Sequence, residues 1–179
     1  DKNGWSPIIF AAYQNSNKGI IETLIEHGGD VNLEDKDGLT PLLYAASNND
    51  SHEVVETLIK HGADISKTDK NGMTPLMLAA YKNRNPKIID TLIKYGADVN
   101  KKDKNGWTPL MLAAYKNRNP EIIVTLIEHG SDVNAKNSFG WTPLMLAIYF
   151  NPNPAIKRAL IILVANTNIR NNIMDTPLI

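Results

Sequence analysis

Three histidines stand at equivalent points of the sequence, and histidine is the commonest protein ligand for metals. His27, His61 and His129 each come just before a glycine, at offsets that are multiples of 34 residues. Side chains at equivalent points of packed helices are expected to lie about 10 Å apart, whereas metal ligands must lie about 2 Å from one ion. We therefore expect no metal site, and instead a polar role for these histidines at helix C-termini.

Carboxylates could act as general acids or bases, but they recur too often for that role. In each of the first four units one aspartate stands at the start and another follows the helix-ending glycine, at Asp1, Asp30, Asp35, Asp64, Asp69, Asp98, Asp103 and Asp132. A catalytic pair is needed only once, so the repetition favours turn hydrogen bonding. The chain also has no cysteine and no glycine-rich phosphate loop. We expect no enzyme activity, no catalytic residue and no cofactor.

The elements that position these side chains come from an internal repeat of 34 residues. Asp35-Lys36-Asp37-Gly38 returns as Asp69-Lys70-Asn71-Gly72 and again as Asp103-Lys104-Asn105-Gly106. We predict a single array over residues 1–179, with repeats 1–34, 35–68, 69–102, 103–136 and 137–170 and a partial unit at 171–179.

The third repeat shows how each unit is built. Thr74 caps a first helix and Pro75 takes its first position, where the missing N–H would be unpaired anyway. Asn85 caps a second helix and Gly96 stops it. The inward face of this second helix carries Ile88, Ile89, Leu92 and Ile93. The chain then runs extended to a tight turn at Asn105-Gly106. One such unit cannot bury its apolar face alone, so stacked copies must share a core.

Three motifs recur in register. Thr-Pro-Leu opens the first helix and an Ala-Ala pair follows it, while Gly-Ala-Asp-Val-Asn or a close variant ends the second helix. On these motifs the chain resembles the ankyrin repeat family over essentially its whole length. The resemblance implies an all-α (α-rich) solenoid of stacked helix pairs with connecting β-hairpin loops, and protein–protein recognition without catalysis. Tetratricopeptide repeats share the period, but they need a Trp, a Leu-Gly and a Tyr on the first helix and have no hairpin.

The chain departs from the ankyrin pattern in three ways. The family period is usually 33, and the extra residue here lies in the loop between the helices. The family's histidine after Thr-Pro-Leu is absent, so we expect its hydrogen bonds to be missing and the core to be more apolar; the residues there are Ile9, Leu43, Met77, Met111 and Met145. In the fifth copy Val164 replaces the helix-ending glycine and Lys157 takes an inward position. This copy is interpreted either as a degenerate terminal repeat that packs on something C-terminal or as a docking patch for another subunit.

Partner-binding residues are expected where the copies differ, because a repeat array keeps its scaffold positions constant. The positions after each tip glycine and at the end of each first helix vary, and they carry aromatic and basic side chains typical of interface hot spots. In ankyrin-like arrays these positions line a concave groove bordered by the hairpin tips. The resemblance therefore implies a partner-binding set of Trp5, Tyr13, Met73, Tyr81, Lys82, Trp107, Tyr115, Lys116, Phe139, Trp141, Tyr149 and Phe150. Packing between repeats is the competing explanation for the same aromatics.

The net charge is zero, but it is unevenly distributed along the chain. Residues 1–68 hold 5 basic and 11 acidic groups, whereas residues 69–136 hold 11 and 7. A protein partner with an acidic surface is favoured for the later repeats, and nucleic acid is disfavoured because tip lysines and aspartates largely neutralise one another.

No membrane span is expected, since the longest apolar run covers only residues 159–165. Two alternatives stay open, namely a regulatory or structural segment of a larger enzyme, channel or toxin, and an array that associates with further copies of itself.

Overall fold

The structure, a computed structural model, describes residues 4–14 and 16–174, with side chains described as far as Val164. This part of the chain forms ten helices and no strand. They are α1 (Pro7–Gln14), α2 (Lys18–Glu26), α3 (Pro41–Asn48), α4 (His52–Lys60), α5 (Pro75–Lys82), α6 (Pro86–Lys94), α7 (Pro109–Lys116), α8 (Pro120–Glu128), α9 (Pro143–Phe150) and α10 (Pro154–Met174). Odd-numbered helices stack on one another in chain order, and even-numbered helices form a second stack beside them. The predicted solenoid of helix pairs is confirmed.

The predicted helix caps of the third repeat are present. Thr74 Oγ1 accepts from Met77 N at 3.2 Å, and Asn85 Oδ1 accepts from Lys87 N at 3.1 Å. Gly96 has a φ of 99°, the left-handed conformation of a helix-ending residue. Met77 Sδ also accepts from Thr74 N at 3.5 Å. In this repeat the methionine therefore keeps one weak hydrogen bond at the position where the family places a histidine.

Within the described residues, the hairpin tips of the second to fifth repeats are closed turns without a β-ladder. Asp103 N donates to Trp107 O at 3.0 Å, and Gly106 N donates to Asp103 O at 3.0 Å. Oδ1 of Asp103 accepts from the N–H groups of Asn105 and Trp107, both at 2.8 Å. Gly106 has a φ of 77°, which any other residue would adopt only with strain. The repeated aspartates thus make the turn hydrogen bonds that their repetition predicted.

The core lies between the two helix stacks and runs continuously through the repeats. In α6 the side chains of Ile88, Ile89 and Leu92 are fully buried, whereas Ile93 is half-buried. Met77 is also fully buried, so the residue that replaces the family's histidine enlarges the apolar core.

A ladder of buried asparagines connects the loops between helices. Asn49, Asn83, Asn117 and Asn151 recur at 34-residue steps and are at most 4 % exposed. Asn117 Nδ2 donates to Ala80 O and Asn83 O of the preceding repeat, both at 2.8 Å. Its Oδ1 accepts from Asn119 N at 2.9 Å. We call this series the asparagine ladder; it satisfies backbone carbonyls that would otherwise be buried without partners.

A second set of hydrogen bonds joins the ends of neighbouring even-numbered helices at two points of the array. Asn32 Nδ2 donates to Gly62 O at 2.9 Å and its Oδ1 accepts from Asp64 N at 2.8 Å. Asn100 ties the fourth repeat to the third in the same way, to Gly130 and Asp132. Ser66 occupies the equivalent position between the second and third repeats, and its hydroxyl donates within its own loop to Asp64 Oδ1 at 2.7 Å. No hydrogen bond joins Ser66 to the third repeat within the part of the chain that the structure describes.

The Ser66→Asn substitution is expected to raise the free energy of unfolding by about 1 kcal/mol, because it adds up to two partly exposed hydrogen bonds between the repeats. The backbone of Ser66 already makes the same turn with Asp64 as Asn100 makes with Asp98, so the amide fits without rearrangement. Equilibrium urea unfolding measures the change. Ser66→Ala is the control and should bring no gain; an Asn variant no more stable than the alanine variant would contradict the prediction.

The last helix runs past the predicted end of its repeat. The preceding even-numbered helix ends at Glu128, and Gly130 follows it with a φ of 87°. Val164 stands at the equivalent position and cannot adopt that conformation without strain. Helix α10 accordingly continues to Met174, across the predicted boundary between residues 170 and 171. The end of the predicted partial unit, residues 175–179, lies outside the described residues.

Candidate functional site

A groove of about 510 Å³ crosses the third, fourth and fifth repeats where α5, α7 and α9 end and their loops begin. We call it the inter-helix groove. Its lining contains no acidic residue and consists of Tyr81, Lys82, Arg84, Tyr115, Lys116, Asn117, Arg118, Phe150 and Pro152.

Aromatic rings form a connected row beside and within this groove. Tyr81 and Tyr115 stack with ring centroids 6.5 Å apart and planes within 7° of parallel. Tyr115 also meets Trp107 at 5.4 Å and Phe150 at 5.3 Å, both edge to face. The row continues through Trp141 and Tyr149. The C-terminal aromatic cluster is thus Tyr81, Trp107, Tyr115, Trp141, Tyr149 and Phe150, all of them predicted site residues.

The same rings also hold the repeats together. Trp107, Tyr115 and Trp141 are half-buried against a small apolar cluster formed by Met111, Ala135 and Leu146. Tyr149 and Phe150 remain 74 % and 45 % exposed. The packing role and an accessible surface therefore coexist in one cluster.

The first and second repeats share a separate aromatic cluster. Trp5 contacts Tyr13 at 5.2 Å, Phe10 at 5.4 Å and Tyr44 at 4.9 Å. The Tyr44 hydroxyl donates to Asp35 Oδ2 at 2.6 Å. Burial of the ring raises the pKa of Tyr44, and this hydrogen bond raises it further. The sequence interpretation put all three tryptophans on one groove, but the structure divides them between two clusters. Phe10 and Tyr44 share one repeat position inside the first helix, and they were missed because site residues were selected only after the tip glycine and at the end of that helix.

The other predicted site residues lie at the edges of the C-terminal aromatic cluster. Met73, which follows the tip glycine Gly72, has a half-buried side chain. Phe139 is 70 % exposed on the fifth tip, and within the described side chains it contacts no other ring. Lys82 and Lys116 are exposed in the groove. The Nζ atom of Lys116 lies 3.2 Å from Tyr81 Oη and 5.3 Å from the centre of that ring, a cation–π contact.

Two arginines complete the groove, although the predicted site set left them out. Arg84 and Arg118 occupy a loop position that is Ser16, Asp50 and Pro152 in the other repeats. The variation used to select the other site residues would have selected these as well. Asn119 and Asn153 donate to the backbone carbonyls of Arg84 and Arg118, each at 2.7 Å. The guanidinium groups therefore project from a backbone that the next repeat holds in place.

The acidic side chains that pair with cations lie outside the groove. Glu56 accepts from Tyr95 Oη at 2.8 Å and lies 3.4 Å from the Nζ atoms of Lys60 and Lys94. The hydrogen bond from Tyr95, followed by those from the two lysines, lowers the pKa of Glu56 to about 2. Between the third and fourth repeats, Asp90 Oδ1 lies 2.9 Å from His129 Nε2.

Further ion pairs join Lys67 to Glu34 and Lys70 to Asp37. Within the described side chains, none of the four groove cations has an ion-pair partner. The groove therefore carries uncompensated positive charge.

The histidines make local polar contacts. Nδ1 of His27 and of His61 lies 2.8 and 2.9 Å from the carbonyl oxygens of Thr23 and Thr57, one helical turn back. The described residues contain no group of three or more His, Asp or Glu side chains that could hold a metal ion. Within residues 4–14 and 16–174, no helix has both the length and the apolar character needed to cross a membrane.

The fifth repeat exposes an apolar face. Met145 and Ile148 are 50 % and 55 % exposed, and Ile161 and Ile162 on α10 are 53 % and 54 % exposed. Ile148 stands where the earlier repeats have fully buried alanines, at Ala46, Ala80 and Ala114. Positions that are buried in the earlier repeats are therefore exposed in the fifth.

Stacked two-helix units joined by closed turns, with a groove where the loops meet, define the class of helical repeat solenoids. The family model described as ankyrin repeats (3 copies) matches the chain over residues 1–69, 51–137 and 76–175. The chain therefore belongs to the ankyrin repeat family. No curated protein matches the chain. Ankyrin repeats are in general protein-interaction modules, and the family is typically non-catalytic.

Proposed function

We propose that this array binds a partner protein through the inter-helix groove and the hairpin tips that border it, with no chemistry of its own. The observation that carries the proposal is the C-terminal aromatic cluster, which presents partly exposed rings beside four unpaired cations. The contact surface proposed runs from Met73 to Phe150 and includes Phe139 at the fifth tip. Trp5 and Tyr13 form a second, smaller contact area.

The anchors proposed are Trp107, Tyr115, Trp141 and Tyr149. Rings held by packing lose little conformational freedom when a partner binds, and such rings dominate measured hot spots. Trp107 and Tyr115 are fixed by the cluster around Met111, whereas Tyr149 is the most exposed ring of the four.

The Trp107→Ala/Tyr115→Ala double variant is expected to bind its ligand more than tenfold more weakly than wild type, because two hot-spot anchors are lost. The ligand is obtained by selecting peptides from a random displayed library on the immobilised full chain. Affinities of the selected peptides are then compared by fluorescence anisotropy.

The matched control is Trp5→Ala/Tyr13→Ala, which removes the same residue types at equivalent positions of the first repeat. This control should lower affinity less than the first variant. Circular dichroism of both variants, and of the conservative Trp107→Phe/Tyr115→Phe variant, separates lost binding from lost folding. Selection of no peptide, or equal affinity of the folded Trp107/Tyr115 variant and wild type, would refute the proposal.

Self-association is a second candidate, favoured by the exposed apolar face of the fifth repeat around Ile148. An array that stacks on another copy through this face would sediment faster as its concentration rises. Sedimentation velocity at two concentrations therefore accompanies the binding assay.

A further inference from the structure

The inter-helix groove contains two nearly identical subsites. Residues 74–86 and 108–120 have the same sequence, so each subsite presents the same tyrosine, lysine and arginine. Lys82 and Arg84 form the basic pair of the first subsite, and Lys116 and Arg118 form that of the second. A ligand that suits one subsite therefore suits the other.

The distance between the two subsites is measured between the stacked rings of Tyr81 and Tyr115. The ring of Tyr115 is displaced from that of Tyr81 by 6.5 Å and rotated by only 7°. Two residues of an extended peptide advance by about 6.6 Å, and side chains two residues apart point to the same side. The spacing of these two rings therefore matches two residues of an extended chain.

The charge of the groove selects the ligand's side chains. Its lining contains four cations and no acidic group. Carboxylates two residues apart in a ligand would each face one Lys/Arg pair, and an arginine can bind a carboxylate through two hydrogen bonds.

The basic surface is short. Asp50 stands at the arginine position of the second repeat and Pro152 at that of the fifth, so the matched arginines end on both sides. A short acidic segment fits this extent better than a long polyanion does.

We propose that the inter-helix groove binds an extended acidic segment of a partner protein with carboxylates at alternate positions, Asp/Glu-x-Asp/Glu, one for each Lys/Arg pair. This inference rests on the proposed function and specifies the partner's chemistry. The segment runs along the array from the third repeat to the fifth, with its backbone over Tyr81 and Tyr115.

The test uses the full chain and three fluorescein-labelled nine-residue peptides in an anisotropy titration. The first has two glutamates two residues apart, the second has the same composition with the glutamates adjacent, and the third has glutamine in place of both. The alternating peptide is expected to bind about tenfold tighter than the glutamine peptide, the effect of two partly exposed ion pairs. It should also bind more tightly than the adjacent-glutamate isomer, and the difference should shrink as salt is added.

The protein variants localise the effect. Arg84→Gln/Arg118→Gln is expected to remove most of the preference for glutamate over glutamine. Lys102→Gln/Lys136→Gln is the matched control, since it removes two charges at equivalent exposed positions of the same repeats outside the groove, and it should keep the preference. Circular dichroism confirms that both variants are folded.

Equal binding of the two glutamate isomers would overturn the alternate spacing, and equal binding of the glutamine peptide would overturn the acidic ligand. Tighter binding of a labelled oligouridylate than of the alternating peptide would overturn the protein partner in favour of single-stranded nucleic acid. If library peptides without acidic residues depend on Trp107 and Tyr115, this inference fails while the proposed function stands. If no peptide depends on them, the proposed function fails as well.

Discussion

Replacing Asn117 by alanine is expected to lower the free energy of unfolding by about 3 kcal/mol, because two buried hydrogen bonds and one partly buried hydrogen bond are lost together. The side chain is 2 % exposed, and its amide donates to the carbonyls of Ala80 and Asn83, both at 2.8 Å. Without the amide, two buried carbonyls and the N–H of Asn119 lose their partner. Equilibrium urea unfolding followed by circular dichroism measures the loss.

Asn119→Ala is the matched control for this prediction. Asn119 lies in the same loop, and its side-chain amide also donates to a carbonyl of the preceding repeat, Arg84 O. It is half-exposed, so water can replace its hydrogen bonds and the expected loss is about 1 kcal/mol. Equal losses of unfolding free energy in the two variants would show that burial does not determine how much an asparagine of the ladder contributes to stability.

The Ile123→Lys substitution is expected to destabilise the array by about 4 kcal/mol or more, since it removes a buried side chain and buries a charge. Ile21, Val55, Ile89 and Ile123 stand at one repeat position and are all fully buried. In the fifth repeat the same position is Lys157, which is only half-buried. Thermal and urea unfolding would report the loss.

Ile123→Ala separates the two effects, because it creates a cavity without adding charge and should cost about 2–4 kcal/mol. Burial lowers the pKa of a lysine below its unfolded value, so the charge penalty is full below the lowered pKa and shrinks as the pH rises from there toward 10. Lys157→Ile should be neutral or slightly stabilising. An Ile123→Lys penalty that equals that of alanine and does not change with pH would contradict the prediction.

The regular part of the fold could be predicted from the sequence because its signals are local and repeated. Thr74, Pro75 and Gly96 act within a few residues of themselves, and each has counterparts in other repeats. The asparagine ladder could not be predicted in this way, since the amide of Asn117 acts on carbonyls 34 and 37 residues away. The continuation of α10 was signalled by Val164, but that signal was interpreted as degeneracy and not as the loss of a helix stop.

The candidate site was only partly predictable. Variation between repeats selected the rings of the C-terminal aromatic cluster, and the structure brings six of them together. Their division from the cluster around Trp5 follows from Ser47, which interrupts the row of tyrosines in the second repeat. A sequence pattern shows which positions vary but not where contact between neighbouring side chains stops.

The asparagine ladder has a consequence for copy number. The seams from the second repeat to the fifth use the same donor and the same two carbonyl positions, with Asn83, Asn117 and Asn151 as donors. Excision of residues 69–102 would bring Asn117 against Ala46 and Asn49, which offer the carbonyls that Asn83 now uses. Because each seam involves only nearest neighbours, whole units can be gained or lost without new core chemistry. The number of Tyr-Lys-Arg subsites can thus change by insertion or deletion while the asparagine ladder keeps the same hydrogen bonds between neighbouring repeats.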